Sequence, residues 1–402
     1  MSELRTLGFL IEVLAEHGDR QAVLALQEEG AESWSYGELA EHARRLAYGL
    51  TKASIGRGDH VALLAPNRPE WMVACLGVVG SGAVATPLDV QLGDEALGRI
   101  LHHSGVKVIF TTAAQTERLE RLDIGVTLKP LLLDVGEDDY RNWLHLLAEE
   151  DHGAELAQPE PDEPAALFYT SGTTGAPKSV PLSHANLAFQ IDAILEAEVV
   201  TEDDRMLVPL PLHHAYPFVM GMLAPLALGL TIVLPHSLTG PQIVRALKEG
   251  DVSVIVGVPR LYSALYAGIE ERAKSGGKIA AALFGISAAL STWMRHRTGL
   301  DAGKLLMHPL RERLGAGLRV LASVGAPLDP ELAHKLEGMG WRLINGYGLT
   351  ETAPLLALKP PDGKKLGSVG RPMPGIDIRI DPSAMPNEDP AWQRGGGRTD
   401  EP

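Results

Sequence analysis

The chain has 402 residues, with 36 Lys and Arg against 51 Asp and Glu, and a formal net charge of −15. That length exceeds what one hydrophobic core usually serves, so at least two packed lobes are expected. A content of 45% hydrophobic and 22% charged residues excludes a disordered or fibrous chain. The acidic balance argues against nucleic acid as a partner. Cys75, the single cysteine, leaves neither an internal disulfide nor a cysteine-based zinc site. Glu3, Arg5 and Glu12 interrupt the first apolar stretch, a poor match to a secretory signal, so a cytoplasmic setting is expected.

Taken in chain order, 36–50 reads as an amphipathic helix, and the Gly56-Arg57-Gly58-Asp59 turn leads into a strand at 60–64. Further strands are predicted over 106–111, 130–133, 165–169, 206–209, 230–234, 252–256, 318–323 and 341–345. Prolines at first-turn positions mark helix starts at Pro241, Pro259 and Pro330. Short apolar strands alternating with helices imply an α/β fold with parallel sheets and crossover helices. Two uncharged stretches, 71–88 and 206–244, are cut by glycines or prolines and read as buried α/β material rather than membrane spans. The acidic, proline-rich run from Gln158 to Pro164 divides an N-terminal subdomain, 1–157, from a second, 158–380. From 381 onward no Leu, Ile or Val occurs among many prolines and glycines, so 381–402 is expected to be an unstructured tail. The uncharged stretch 279–294 is helical in composition and runs into Arg295, His296 and Arg297. It reads as a groove-covering helix or as an element touching lipid or an acyl chain.

The strongest chemical feature follows the strand at 165–169: Tyr169-Thr170-Ser171-Gly172-Thr173-Thr174-Gly175-Ala176-Pro177-Lys178. Two glycines allow a tight turn with N–H groups presented together, a nest suited to phosphate oxygens. Four hydroxyls add neutral donors, and Lys178 adds a flexible positive charge. Pro177 stands where a Walker A loop has glycine before its lysine, so the loop is of another kind. Tyr347 lies between Gly346 and Gly348, which leaves room for its ring to lie flat on a base.

This loop resembles the phosphate-binding motif of the adenylate-forming enzymes, the family of acyl-CoA synthetases, adenylation domains and luciferases. Three further segments resemble that family in order and spacing: Leu210–Pro217, which contains His213-His214-Ala215-Tyr216; Ser323-Val324-Gly325-Ala326-Pro327-Leu328; and Asn345-Gly346-Tyr347-Gly348-Leu349-Thr350-Glu351-Thr352. The resemblance covers about 36–375 and implies the two packed α/β subdomains of the family's large N-terminal domain. It also implies chemistry: a carboxylate attacks the α-phosphate of ATP to give an acyl-adenylate, and a thiol, usually coenzyme A, displaces AMP.

By resemblance, Thr170, Ser171, Gly172, Thr173, Thr174, Gly175 and Lys178 hold the phosphates, Thr350 contacts the α-phosphate and Glu351 holds Mg2+. Gly325, Ala326, Pro327, Asn345, Gly346, Tyr347 and Gly348 surround the adenine. His214 neighbours the acyl carboxylate, while Tyr216 and the Gly257-Val258-Pro259 turn border the acyl site. The region 259–313 resembles long-chain fatty acyl-CoA synthetases, which makes the expected substrates a fatty acid, ATP and coenzyme A. It also favours peripheral contact with the inner membrane face. Only 51 residues follow Glu351, and neither the family's ribose-binding Thr-Gly-Asp segment nor its small C-terminal domain is found in them. The expected activity is therefore impaired unless a second chain supplies that domain. The rival expectation is a catalytically weak nucleotide- or acyl-binding module, and an adenylation domain loading a carrier protein ranks third.

Overall fold

The computed structural model describes residues 6–122, 128–148, 156–171, 177–298, 302–359 and 365–381. Its strands, in chain order, are β1 (Gln21–Leu26), β2 (Ala31–Ser35), β3 (His60–Leu64), β4 (Val84–Pro87) and β5 (Val108–Thr111). Then come β6 (Lys129–Leu132), β7 (Pro164–Ser171), β8 (Pro177–Ser183), β9 (Arg205–Leu207) and β10 (Thr231–Leu234). The last are β11 (Val254–Gly257), β12 (Val320–Ser323), β13 (Arg342–Tyr347), β14 (Ala357–Leu358) and β15 (Arg371–Pro372).

They form two sheets. One runs β15-β14-β13-β12-β11-β9-β10-β1-β2, parallel from β13 to β1 and antiparallel at both edges. The other runs β6-β5-β3-β4-β7-β8, parallel except for the edge strand β8. Each sheet takes strands from both sides of residue 157: β1 and β2 join the larger one, β7 and β8 the smaller.

The parallel strands are short and apolar on both faces because both faces are covered. In β11, Val254 and Val256 point into the central core while Ile255 points into the cluster on the opposite face, the two-residue alternation of a strand. The central core lies between the sheets. It gathers Val61, Leu63 and Phe110 from one sheet, and Val23, Ile232 and Val320 from the other. Helices Tyr36–Lys52, Pro69–Gly80 and His184–Glu196 fill the space between. The uncharged stretch 71–88 is buried throughout, as a helix followed by β4. Among the described residues no helix is long and apolar enough to cross a membrane.

Helix Tyr36–Lys52 starts where Ser35 and Glu38 form a reciprocal capping box, and Pro69, Pro259 and Pro330 each open a helix at a position needing no backbone donor. The uncharged 206–244 stretch holds a continuous helical run, Ala215–Phe218, Val219–Leu223 and Ala224–Leu228. Its middle is π-helical: Pro225 has no N–H to offer the Gly221 carbonyl, and the Ala224 N–H reaches back to the Val219 carbonyl instead.

Candidate active site

The motifs meet where the carboxyl ends of the parallel strands from both sheets converge, the usual position for a site in an open α/β sheet. β7 and β8 form a hairpin in which Thr170 stands opposite Lys178 and Ser171 opposite Pro177. The loop between them, with Gly172, Thr173, Thr174 and Gly175, lies outside the described residues, as does the side chain of Ser171. Lys178 is exposed, and β8 lies beside the 3-10 turn Thr350–Thr352, which presents Glu351 to solvent. The lysine and the carboxylate, 173 positions apart in the chain, thus flank one region.

That turn is held from below. β8 ends at Ser183, which with Asn186 caps the next helix reciprocally. About two turns on, the buried Gln190 donates through Nε2 to the Leu355 carbonyl at 2.8 Å and accepts from the Leu355 N–H at 3.3 Å. Thr352 Oγ1 accepts from the Leu349 N–H at 2.9 Å and closes the turn. Sequence reasoning passed over Gln190, although one amide in an apolar stripe of Leu187, Ala188, Ile191 and Ile194 is a visible signal.

Tyr347 is 45% exposed at the end of β13. Its neighbour Gly348 answers to a tighter constraint than ring clearance, because a Cβ there would sit 1.6 Å from the Pro354 carbonyl oxygen. Gly325, just beyond β12, has φ +92°, a left-handed conformation that leads the chain into the exposed Ala326-Pro327 segment. Ser323 and Asn345 are paired across β12 and β13. Asn345 Nδ2 donates to the Leu366 carbonyl at 3.0 Å, whereas Asn345 Oδ1 and Ser323 Oγ are buried without a hydrogen-bond partner.

The histidine segment is clamped to the other sheet. Asn67, just after β3, donates to the Leu210 carbonyl at 2.8 Å and accepts from the Leu212 N–H at 2.9 Å. Asp89, two residues after β4, places Oδ2 3.7 Å from His213 Nε2, and the His213 and His214 rings lie 4.3 Å apart. His213 is the more buried of the two, and His214 faces solvent. Burial, then the adjacent His214, push His213 down to about 4 against the pull of Asp89; burial also lowers His214. Burial thus favours the neutral form of both rings. Asn67 and Asp89 were also missed in the sequence, although each sits just past a parallel strand.

Tyr216 is buried, and its hydroxyl lies 3.3 Å from the Gly257 carbonyl and 3.4 Å from that of Ala322, so it ties the ends of β11 and β12 together. Burial raises its phenol well above the usual range. Of the Gly257-Val258-Pro259 turn, Gly257 thus lies against Tyr216. Below them, between the larger sheet and the helical run 215–228, is a narrow apolar cavity of about 30 Å³ lined by Val256, Ala322, Ile344, Met220 and Val200, among others.

The architecture is that of the adenylate-forming N-terminal domain. The N-terminal domain of FACL13 from Mycobacterium tuberculosis superposes with a TM-score of 0.69 at 22% identity, over 92% of this chain and 83% of that one. The AMP-binding enzyme family matches residues 10–395, and the chain belongs to it. Among its relatives are a feruloyl-CoA synthase of Amycolatopsis sp, 31% identical over 89% of this chain, and the long-chain-fatty-acid–CoA ligase FadD15 of Mycobacterium bovis, 30% identical over 85%. The chain spans 63% and 60% of those two proteins, less than two thirds of their length.

Proposed function

We propose that this crevice binds MgATP and activates a fatty acid as its acyl-adenylate, the first half of an acid–thiol ligation that coenzyme A completes. A carboxylate oxygen attacks the α-phosphorus, the bond to the β-phosphate oxygen breaks and pyrophosphate leaves. In the second step the thiolate sulfur displaces AMP from the acyl carbon, and the thiol proton passes to solvent. The observation that supports this reading is the contact of the Lys178 hairpin with the Thr350–Thr352 turn, which brings the strand of an exposed lysine beside the turn of an exposed carboxylate, Glu351.

Lys178, Thr170 and the 171–175 loop hold the phosphates, and Thr350 meets the α-phosphate. Among the described residues no cluster of three His, Cys, Asp or Glu could cage a metal. A lone exposed Glu351 fits magnesium, which is commonly bound through one or two carboxylates together with substrate phosphates and water. When bound, the ion neutralises charge on the leaving pyrophosphate. Tyr347, with Gly346 and Gly348 beside it, takes the adenine face against Gly325, Ala326 and Pro327. The unpartnered Asn345 Oδ1 is an acceptor suited to an amino group of the base. His214 neighbours the carboxylate, and the chain of the acid enters the apolar cavity below Tyr216. That cavity is far smaller than the several hundred Å³ typical of ligand sites, so a long acyl chain has to displace flexible side chains such as Met220.

The similarity to a feruloyl-CoA synthase favours a second reading, an aromatic acid. Pyrophosphate release from ATP, measured with palmitate, with ferulate and with neither, separates the two. Lys178→Ala and Glu351→Gln should each reduce release at least about a hundredfold, the usual scale for losing one electrostatic contact in the transition state. Nucleotide binding without release from any acid would leave a binding module, and no Mg·ATP binding would overturn the reading.

A further inference from the structure

Helix Lys278–Thr298 carries an apolar face that stays exposed among the described residues. Ile279, Leu283, Ile286, Leu290 and Trp293 recur at spacings of four, three, four and three, and they are between 44% and 78% exposed. Ala282, Gly285 and Ala289 beside them are exposed as well. The helix cannot simply rotate to hide this face. Its other side packs against helices Pro259–Ser275 and Pro330–Gly338, with Ser291 buried. Near its end, Arg295 Nε lies 3.2 Å from Glu337 Oε2, and Glu337 in turn faces the buried Lys359.

Charge says what the face is for. In a chain of net charge −15, residues 272–300 contain no Asp or Glu, while the exposed Arg272 and Lys278 lie at one end of the apolar stripe and the exposed Arg297 at the other, with Lys274 and Arg295 beside them paired to Glu270 and Glu337. We propose that this helix docks flat on an anionic lipid surface, with the stripe and the Trp293 indole in the headgroup–acyl boundary and the cations against anionic headgroups. A second copy of the chain fits less well: both ends of the helix are basic, so parallel or antiparallel pairing would set cation against cation. At 21 residues the helix is about 31 Å long, enough to lie along a bilayer surface. The inference does not depend on the proposed chemistry, since lipid binding is scored without ATP or acid.

The test is cosedimentation of the 402-residue protein with phosphatidylcholine vesicles that contain or lack phosphatidylglycerol. The protein should pellet with the anionic vesicles, and its tryptophan emission should shift to the blue, a shift lost in Trp293→Phe. Leu283→Asp with Ile286→Asp should weaken binding at least about tenfold. Lys278→Glu and Arg297→Glu should each weaken it about fivefold or more, an effect that fades with salt. All four positions are exposed, so unfolding midpoints should stay at the wild-type value; if the Asp variant unfolds, the charge variants and the salt dependence still decide. Failure to pellet with anionic vesicles, or equal binding to neutral ones, overturns the proposal. So does a dimer on size exclusion that Ile286→Asp dissociates while vesicle binding is absent.

Discussion

Gln190 and Asn67 contact no expected ligand atom, yet they set where the expected ones stand, and Gly348, expected beside the adenine, is fixed as glycine by the backbone packed against it. Gln190→Ala leaves the buried N–H and C=O of Leu355 without partners, which should cost about 1–3 kcal/mol in chemical denaturation. Because Leu355 follows the Thr350–Thr352 turn, the same variant should weaken Mg·ATP binding in calorimetry more than an exposed control such as Glu198→Ala. Gly348→Ala should be worse, since its Cβ would overlap the Pro354 carbonyl oxygen; loss of soluble folded protein, or a large drop in thermal midpoint, is expected. The residues expected to face the nucleotide, Gly348 among them, were legible in the sequence because their types and spacing carry chemistry. Gln190 and Asn67 were not, because an amide gains its role only from what lies across the fold.

At the scale of elements, most strands predicted from apolar runs appear within one or two residues, as at His60–Leu64 and Val320–Ser323. β8 escaped notice because Pro177 and Pro181 interrupt it. It is an edge strand, where a missing donor faces no neighbour, so the prolines are tolerated there as Pro130 is in the opposite edge strand β6. β14 and β15, two residues each, carry no periodic signal. The 381–402 tail reading concerns residues that, apart from Asp381, lie outside those described. Near the Arg295 end of the long helix, the guanidinium is engaged by Glu337 from the neighbouring helix. Tyr216→Phe removes the hydroxyl that ties β11 to β12 and should cost about 1 kcal/mol in urea midpoint. Asn67→Ala, by freeing the His213-His214 segment from β3, should cost about 1–3 kcal/mol and raise the KM for the acid more than that for ATP.

For the molecule as a whole, buried histidines join the parts and set a limit in acid. His184 is fully buried, and its Nδ1 accepts from the Leu7 N–H at 3.2 Å, which requires a neutral ring. Burial pushes it down to about 4, as it does His213. A histidine whose folded pKa lies below its unfolded value near 6.5 supports the fold above that pH, and its contribution is lost as pH falls toward 4. Stability should therefore decline between pH 6.5 and 4.5, before most carboxylates titrate, with His184 alone accounting for about 3 kcal/mol by its folded pKa. His184→Gln, which keeps an acceptor for Leu7, should show a shallower decline in urea midpoints over that window.

By itself the sequence determined the class of fold, most of the strands and the four motifs, because strand alternation, helix caps and a glycine–hydroxyl loop are properties of neighbouring residues. Only the tertiary structure decided that the Lys178 hairpin lies against the Glu351 turn, that Asn67 and Asp89 reach the histidines from the other sheet, and that one face of the 278–298 helix stays bare. Those are contacts between segments far apart in the chain, set by how two sheets pack around a shared core, and no local pattern encodes them.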